Sequence, residues 1–155
     1  TTVTLTGDIA GMTTEQIITI SENKNIILDM EGHSITVASG FTGRPIVNRG
    51  TLAVTGRGII DASASETGGY GAIDNYGTLT IENGTYTGSV DASGASVKNC
   101  PDSVLTIRDG TFSGAVTVVY NVSVKRKRME ASKIEGDGRP IQQAVVVLVM
   151  ADIHM

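Results

Sequence analysis

The chain has 155 residues, a net charge of −4 and a pI near 5.1, with nineteen Gly, three Pro, one Cys and no Trp. That charge argues against general affinity for nucleic acid or an anionic membrane surface. No segment reaches the roughly 18 apolar residues of a membrane span, and Cys100 alone cannot make an internal disulfide. What is left is a single turn-rich domain over 1–155, with an aliphatic core and few aromatic platforms for sugar stacking.

Thr1–Thr6 alternates apolar and polar residues, which predicts a strand that starts without a cap. Gly7–Gly11 turns the chain. Thr13 and Gln16 have the spacing of a capping box around a single helical turn, although a loop feeding a strand at Ile17–Ile20 is the simpler reading. Asn25–Met30 is the first copy of a strand that then recurs. Glu31-Gly32 turns it, Ser34–Ala38 is the next strand, and Gly40–Pro45 is a loop. A second coil starts at Ile46 and a third at Ala72, with a Ser/Gly/Ala-rich loop between them at Asp61–Gly71.

The recurrence is the main finding. Gly77-Thr-Leu-Thr-Ile-Glu-Asn-Gly-Thr-Tyr-Thr-Gly88 returns as Ser103-Val-Leu-Thr-Ile-Arg-Asp-Gly-Thr-Phe-Ser-Gly114, 26 residues on. Leu28, Val54, Ile81, Ile107 and Ile134 lie 26, 27, 26 and 27 residues apart, and the positions two before them read Ile26, Leu52, Leu79, Leu105 and Ser132. These alternate with small or polar residues, as in strands with one buried face. A second column holds Ile20, Ile46 and Ile73. A third, five residues after the first, holds Ile59, Tyr86 and Phe112, with His33 in the same phase. Val97 and Val124, 27 apart, extend a strand column further.

Such a period signals a repeat architecture. Three short strands and their turns use up the 26–27 residues and leave no room for a helix in each repeat. A propeller blade would need more residues, and no leucine-rich framework is present. The expected fold is therefore all-β, a right-handed parallel β-helix with three short strands per coil. Equivalent residues should stack about 4.8 Å apart. Asn48 and Asn75 should stack as structural residues, as should Gly50/Gly77, Gly84/Gly110 and Gly88/Gly114. Regular coils run over about 17–114. The pattern loosens over 115–155, where Ala144–Ala151 reads as a last strand or a cap.

The run Ile26-Ile-Leu-Asp-Met-Glu-Gly-His-Ser-Ile-Thr36, followed by Gly77-Thr-Leu-Thr-Ile81 with Gly84, resembles the repeats of secreted or wall-attached Gram-positive surface proteins with a pectate-lyase-like β-helix. Phage tailspikes and fibres share that architecture. The resemblance covers residues 17–114. It implies an extracellular adhesive or carbohydrate-binding surface protein, and residues 115–155 depart from it.

The residues themselves offer little chemistry. Glycoside hydrolysis needs two facing carboxylates about 5–9.5 Å apart. The outward column Asp29, Thr55, Glu82, Arg108, Glu135 places acids on alternate coils, where Glu82 and Arg108 should pair with each other. Asn83 and Asp109 stack in turns, where such residues are expected. His33 reads as a partly buried histidine, and Cys100 as a turn or buried thiol with no activating partner. No Cys/His metal spacing occurs, so no metal or cofactor is expected. Two glycosylation sequons, at Asn83 and Asn121, are of a kind that arises by chance. Thr-x-Thr rows suited to ice are ragged, since Thr78/Thr80 neighbours Thr51/Ala53 and Val104/Thr106. Lys125-Arg126-Lys127-Arg128 is the sharpest charge feature, and it reads as a solvated loop or as a site for an anionic wall polymer.

The expectation is a non-enzymatic extracellular surface or fibre module, structural or adhesive, whose partners are a polysaccharide or cell-wall polymer and further copies joined at the coil ends. Unpaired strand edges at Thr1–Thr6 and at Ala144–Ala151 motivate the last point. The alternative is a fragment of a polysaccharide lyase or glycoside hydrolase.

Overall fold

The computed structural model describes residues 1–66, 71–89 and 95–114, and the backbone of 119–121. The first coil holds β1 (Thr2–Thr4), β2 (Ile9–Met12) and β3 (Ile18–Ile20). The second holds β4 (Asn25–Asp29), β5 (Ser34–Val37) and β6 (Ile46–Asn48). The third holds β7 (Thr51–Thr55), β8 (Ile59–Asp61) and β9 (Ile73–Asn75). Next come β10 (Thr78–Ile81), β11 (Thr85–Thr87) and β12 (Val97–Asn99), then β13 (Val104–Ile107), β14 (Thr111–Ser113) and β15 (Val119–Asn121). Every third strand pairs in parallel, which gives three five-stranded sheets: β1-β4-β7-β10-β13, β2-β5-β8-β11-β14 and β3-β6-β9-β12-β15. We call them sheets A, B and C. The chain is a parallel β-solenoid of about four turns, with no α-helix among the described residues. None of these residues forms a helix long and apolar enough to cross a membrane. The Thr13–Gln16 capping box does form: a 3-10 turn spans Thr14–Gln16, with the Thr13 N–H donating to Gln16 Oε1 at 2.8 Å.

Sheet A follows the expected register. Leu28 pairs with Val54, Val54 with Ile81 and Ile81 with Ile107, in one inward stack beside Leu52, Leu79 and Leu105. Val54 and Ile81 are fully buried. Each such aliphatic side chain contributes about 1.5–3 kcal/mol of transfer free energy. Ile134, expected in the same stack, lies outside the described residues.

Sheet B corrects one column. Its inward residues are Ile35, Ile60, Tyr86 and Phe112, not His33 and Ile59. Ile59 pairs with Ser34 and Thr85 on the outer face and is 45% exposed. The cause is the corner between sheets A and B. It carries more residues after Leu28 than after Ile81, and a one-residue slip exchanges the two faces of a strand. His33 sits in that corner with Nδ1 3.4 Å from Asp8 Oδ1, half-buried as expected but outside the stack. Tyr86 and Phe112 stack at 5.1 Å between centroids. The Tyr86 hydroxyl donates to the Asn83 carbonyl at 2.9 Å, and burial pushes its pKa up.

Sheet C corrects two more readings. Ile18, not Ile20, pairs with Ile46, which pairs with Ile73 and then Val97. Val97 pairs with Val119 rather than Val124, so the last coil is shorter than the repeat suggests. Ile20 instead heads a column that continues as Asn48, Asn75, Asn99 and Asn121. Asn48 Nδ2 donates to Asn75 Oδ1 at 2.8 Å, and Asn75 Nδ2 donates to Asn99 Oδ1 at 2.6 Å. The same amides donate to the Thr78 and Val104 carbonyls and accept from the Gly50 and Gly77 N–H groups. Asn48 and Asn75 are therefore structural, as the sequence suggested, and their ladder is longer than the pair read there.

Candidate functional site

Turn chemistry at the A/B corner creates a groove. From β5 onward, the residue before each sheet B strand reads His33, Gly58, Gly84, Gly110 from coil to coil. The Thr85 N–H donates to the Gly58 carbonyl at 2.9 Å, and the Thr111 N–H donates to that of Gly84 at 2.8 Å. Glycine is required here. A Cβ on Gly58 would lie 2.5 Å from Met30 Cβ and 2.6 Å from the His33 carbonyl oxygen. Gly84 and Gly110 adopt φ of 110° and 144°, which side chains rarely tolerate. Three successive coils therefore present bare backbone.

Flanking side chains rise on either side of this floor and enclose about 430 Å³. Arg57, Asn83 and Asp109 precede the glycines; Ile59, Thr85 and Thr111 follow them. The groove runs along the solenoid axis, and its lining changes by one residue of each column per coil. It offers a guanidinium, an amide, a carboxylate and two hydroxyls beside one aliphatic side chain. Asp109 Oδ1 accepts from the Gly110 N–H at 2.8 Å. Asn83 Oδ1 is buried and accepts no hydrogen bond among the described residues, an arrangement that costs about 1–3 kcal/mol unless a ligand or water supplies a donor. Next to the groove, Arg108 Nε lies 3.5 Å from Glu82 Oε1 in the pairing expected from the outward column.

A second hollow of about 450 Å³ lies between Thr13–Glu15 and Ala38–Phe41. Its rim is tied internally, with the Thr42 N–H donating to Thr14 Oγ1 at 3.0 Å, and it spans loops rather than stacked coils.

The structure separates the sequence-derived residues. Leu28, Val54, Ile81, Ile107, Asn48 and Asn75 are scaffold. Lys125, Arg126, Lys127 and Arg128 lie outside the described residues. Asn83 and Asp109, read as ordinary turn residues, are brought together in the groove. Arg57, Thr85 and Thr111 escaped notice, and Ile59 reads from the sequence alone as a core residue. Their signal was the stacked Gly84/Gly110 pair, because a glycine column between polar flanks leaves a furrow. Among the described residues no group of three or more His, Cys, Asp or Glu is placed to hold a metal ion. No protein-family model, curated protein or solved structure matches the chain.

Proposed function

We propose that this chain is a non-enzymatic extracellular surface or fibre module that holds a polysaccharide along its glycine-floored groove. The observation that supports this reading is the groove itself. It is an axial furrow in which a bare glycine backbone recurs from coil to coil at about 4.8 Å, flanked by one guanidinium, one amide, one carboxylate and two hydroxyls. A polyhydroxyl chain needs many donors and acceptors along one line, and a stack of glycine turns with differing polar flanks supplies that. Mixed charge on the walls favours neutral or zwitterionic sugars over strongly charged ones here.

A glycan array with the full chain, followed by titration of any retained glycan, tests the proposal. Asn83→Ala and the double change Thr85→Val, Thr111→Val should each weaken binding at least about fivefold, the loss of one or two net hydrogen bonds. Arrays that retain nothing would refute it, as would variants that bind unchanged. Product release from the retained glycan would favour the lyase or hydrolase alternative instead.

A further inference from the structure

The outer face of sheet C carries a charge and aromatic arrangement that the groove does not use. Register sets Val47, Asp74 and Lys98 in one outward column. Backbone pairing sets Arg49, Tyr76 and Cys100 in the next: Arg49, Tyr76 and Cys100 each donate their N–H to the preceding coil, at Ile20, Asn48 and Asn75. Arg44 reaches the same place from the loop before β6, with Nε 2.9 Å from Asp74 Oδ1. Cations are concentrated here. The described residues hold six Lys and Arg against eleven Asp and Glu. Three of those six, Arg44, Arg49 and Lys98, surround the single acid Asp74.

Asp74 and Arg44 are mostly buried and serve one another. Burial raises the Asp74 carboxyl, and the fields of Arg44 and Lys98 oppose that rise. With Asp74 engaged by Arg44, the face keeps the charge of Arg49 and Lys98. Arg49 has its guanidinium 4.8 Å from the Tyr76 ring centroid. Tyr76 is 44% exposed, in a chain with only two Phe, four Tyr and no Trp. A guanidinium held against an aromatic ring keeps its fork of N–H donors in the ring's neighbourhood, which suits a planar carboxylate. The ring itself gives an amphipathic surface for the apolar face of a sugar. Arg49 and Lys98 lie two coils apart, about 9.6 Å along the axis, so their charges suit successive acidic groups on one polymer.

We propose that this face binds an acidic polysaccharide, with a sugar ring against Tyr76, one carboxylate on Arg49 and another on Lys98. The proposal is independent of the groove, whose residues lie at the corner between the other two sheets.

The test is titration of the full chain with alginate, a polyuronate, alongside dextran as a neutral chain and polyphosphate as a ringless polyanion. Alginate should bind at low ionic strength and weaken with salt. Arg49→Gln and Tyr76→Ala should each weaken it about tenfold, and Lys98→Ala about threefold. The Thr85→Val, Thr111→Val groove variant should leave it unchanged, which separates this result from success or failure of the groove reading. Lys98→Ala carries the test if either of the other two fails to fold. Absence of alginate binding overturns the proposal, and so does undiminished binding by whichever of these variants fold. Polyphosphate bound as tightly as alginate at equal charge also overturns it, because the sugar ring would then contribute nothing.

Discussion

Asn75→Ala should be among the costliest single changes in this chain, because the Asn75 amide joins three coils at once. Its Nδ2 donates to Asn99 Oδ1 at 2.6 Å, the Val104 carbonyl at 2.8 Å and the Gly77 carbonyl at 3.2 Å. Its Oδ1 accepts from Asn48 Nδ2 at 2.8 Å and the Gly77 N–H at 3.2 Å. After truncation, Asn48 Nδ2 keeps the Thr78 carbonyl and Asn99 Oδ1 keeps the Ser103 hydroxyl. Asn75 is itself fully buried, and the Gly77 N–H and the Val104 carbonyl lose its amide from part-buried hydrogen bonds. Two such groups at about 1–3 kcal/mol each give a loss of about 4 kcal/mol. That is a large fraction of a stability of about 5–15 kcal/mol. With a urea slope of about 2 kcal/mol/M, the unfolding midpoint followed by far-ultraviolet circular dichroism should fall by about 2 M. Asn75→Leu restores volume but no hydrogen bond, so it should be nearly as costly. Asn75→Asp keeps the acceptor and loses the donors. The new carboxyl would have a raised native pKa, so that variant should gain stability as the pH falls towards 4. A midpoint within about 0.3 M of the parent for Asn75→Ala, or a Leu variant as stable as the parent, would refute the reasoning.

The remaining predictions concern the core, the turns and titration. Ile81→Asp places an uncompensated charge at a fully buried position and should abolish folding; cooperative melting with a native-like dichroism spectrum would count against the solenoid core. Ile20→Asn should be tolerated far better than Ile46→Asn, because Ile20 is aligned with Asn48 and could extend the amide ladder, whereas Ile46 belongs to an aliphatic column; equal losses in urea melts would contradict this. Gly77→Ala should be strongly destabilising, since its Cβ would lie 2.1 Å from the Gly50 carbonyl oxygen, while Gly7→Ala, with nothing within 4 Å, should change the melting temperature by no more than a degree or two. The Ser34 N–H donates to Asp8 Oδ1 at 2.8 Å and holds that carboxyl below its ordinary value of 3.8. The native state therefore binds fewer protons than the unfolded state near that pH. Its stabilising effect is present above pH 3.8 and fades as the pH falls, so Asp8→Asn should flatten the acid limb of the stability profile. Asp74, raised by burial, acts in the opposite direction.

What the sequence revealed, and what it hid, follows from which parts of a coil must be constant. Parallel pairing requires strands to stack in register, and in sheet A the coil length stays at 26 or 27 residues, with Leu28 on Val54, Val54 on Ile81 and Ile81 on Ile107. Its apolar column was therefore readable by counting. Pairing places no such demand on the arcs between strands. The arc from Leu28 to Ile35 is longer than that from Ile81 to Tyr86, and Glu31 and Gly32 take up the excess at φ of 46° and 83°. A count that assumes equal arcs therefore puts Ile59 inside when Ile60 is the buried residue. The turn after Asn99 shows the same freedom. Pro101 occupies the position where Gly50 and Gly77 donate an N–H to the ladder, and proline has none to give. The turn is longer, and the Ser103 hydroxyl donates to Asn99 Oδ1 at 2.8 Å in its place. The groove was hidden for the same reason, since Arg57, Asn83 and Asp109 come from arcs on different coils, Ile59, Thr85 and Thr111 open the strands that follow, and the two walls assemble only when each arc is phased correctly. Strands in this chain are constrained by their neighbours above and below, whereas arcs need only close. Residues free to change without breaking the stack are therefore concentrated in the arcs, and Arg57, Asn83 and Asp109 of the groove are drawn from them.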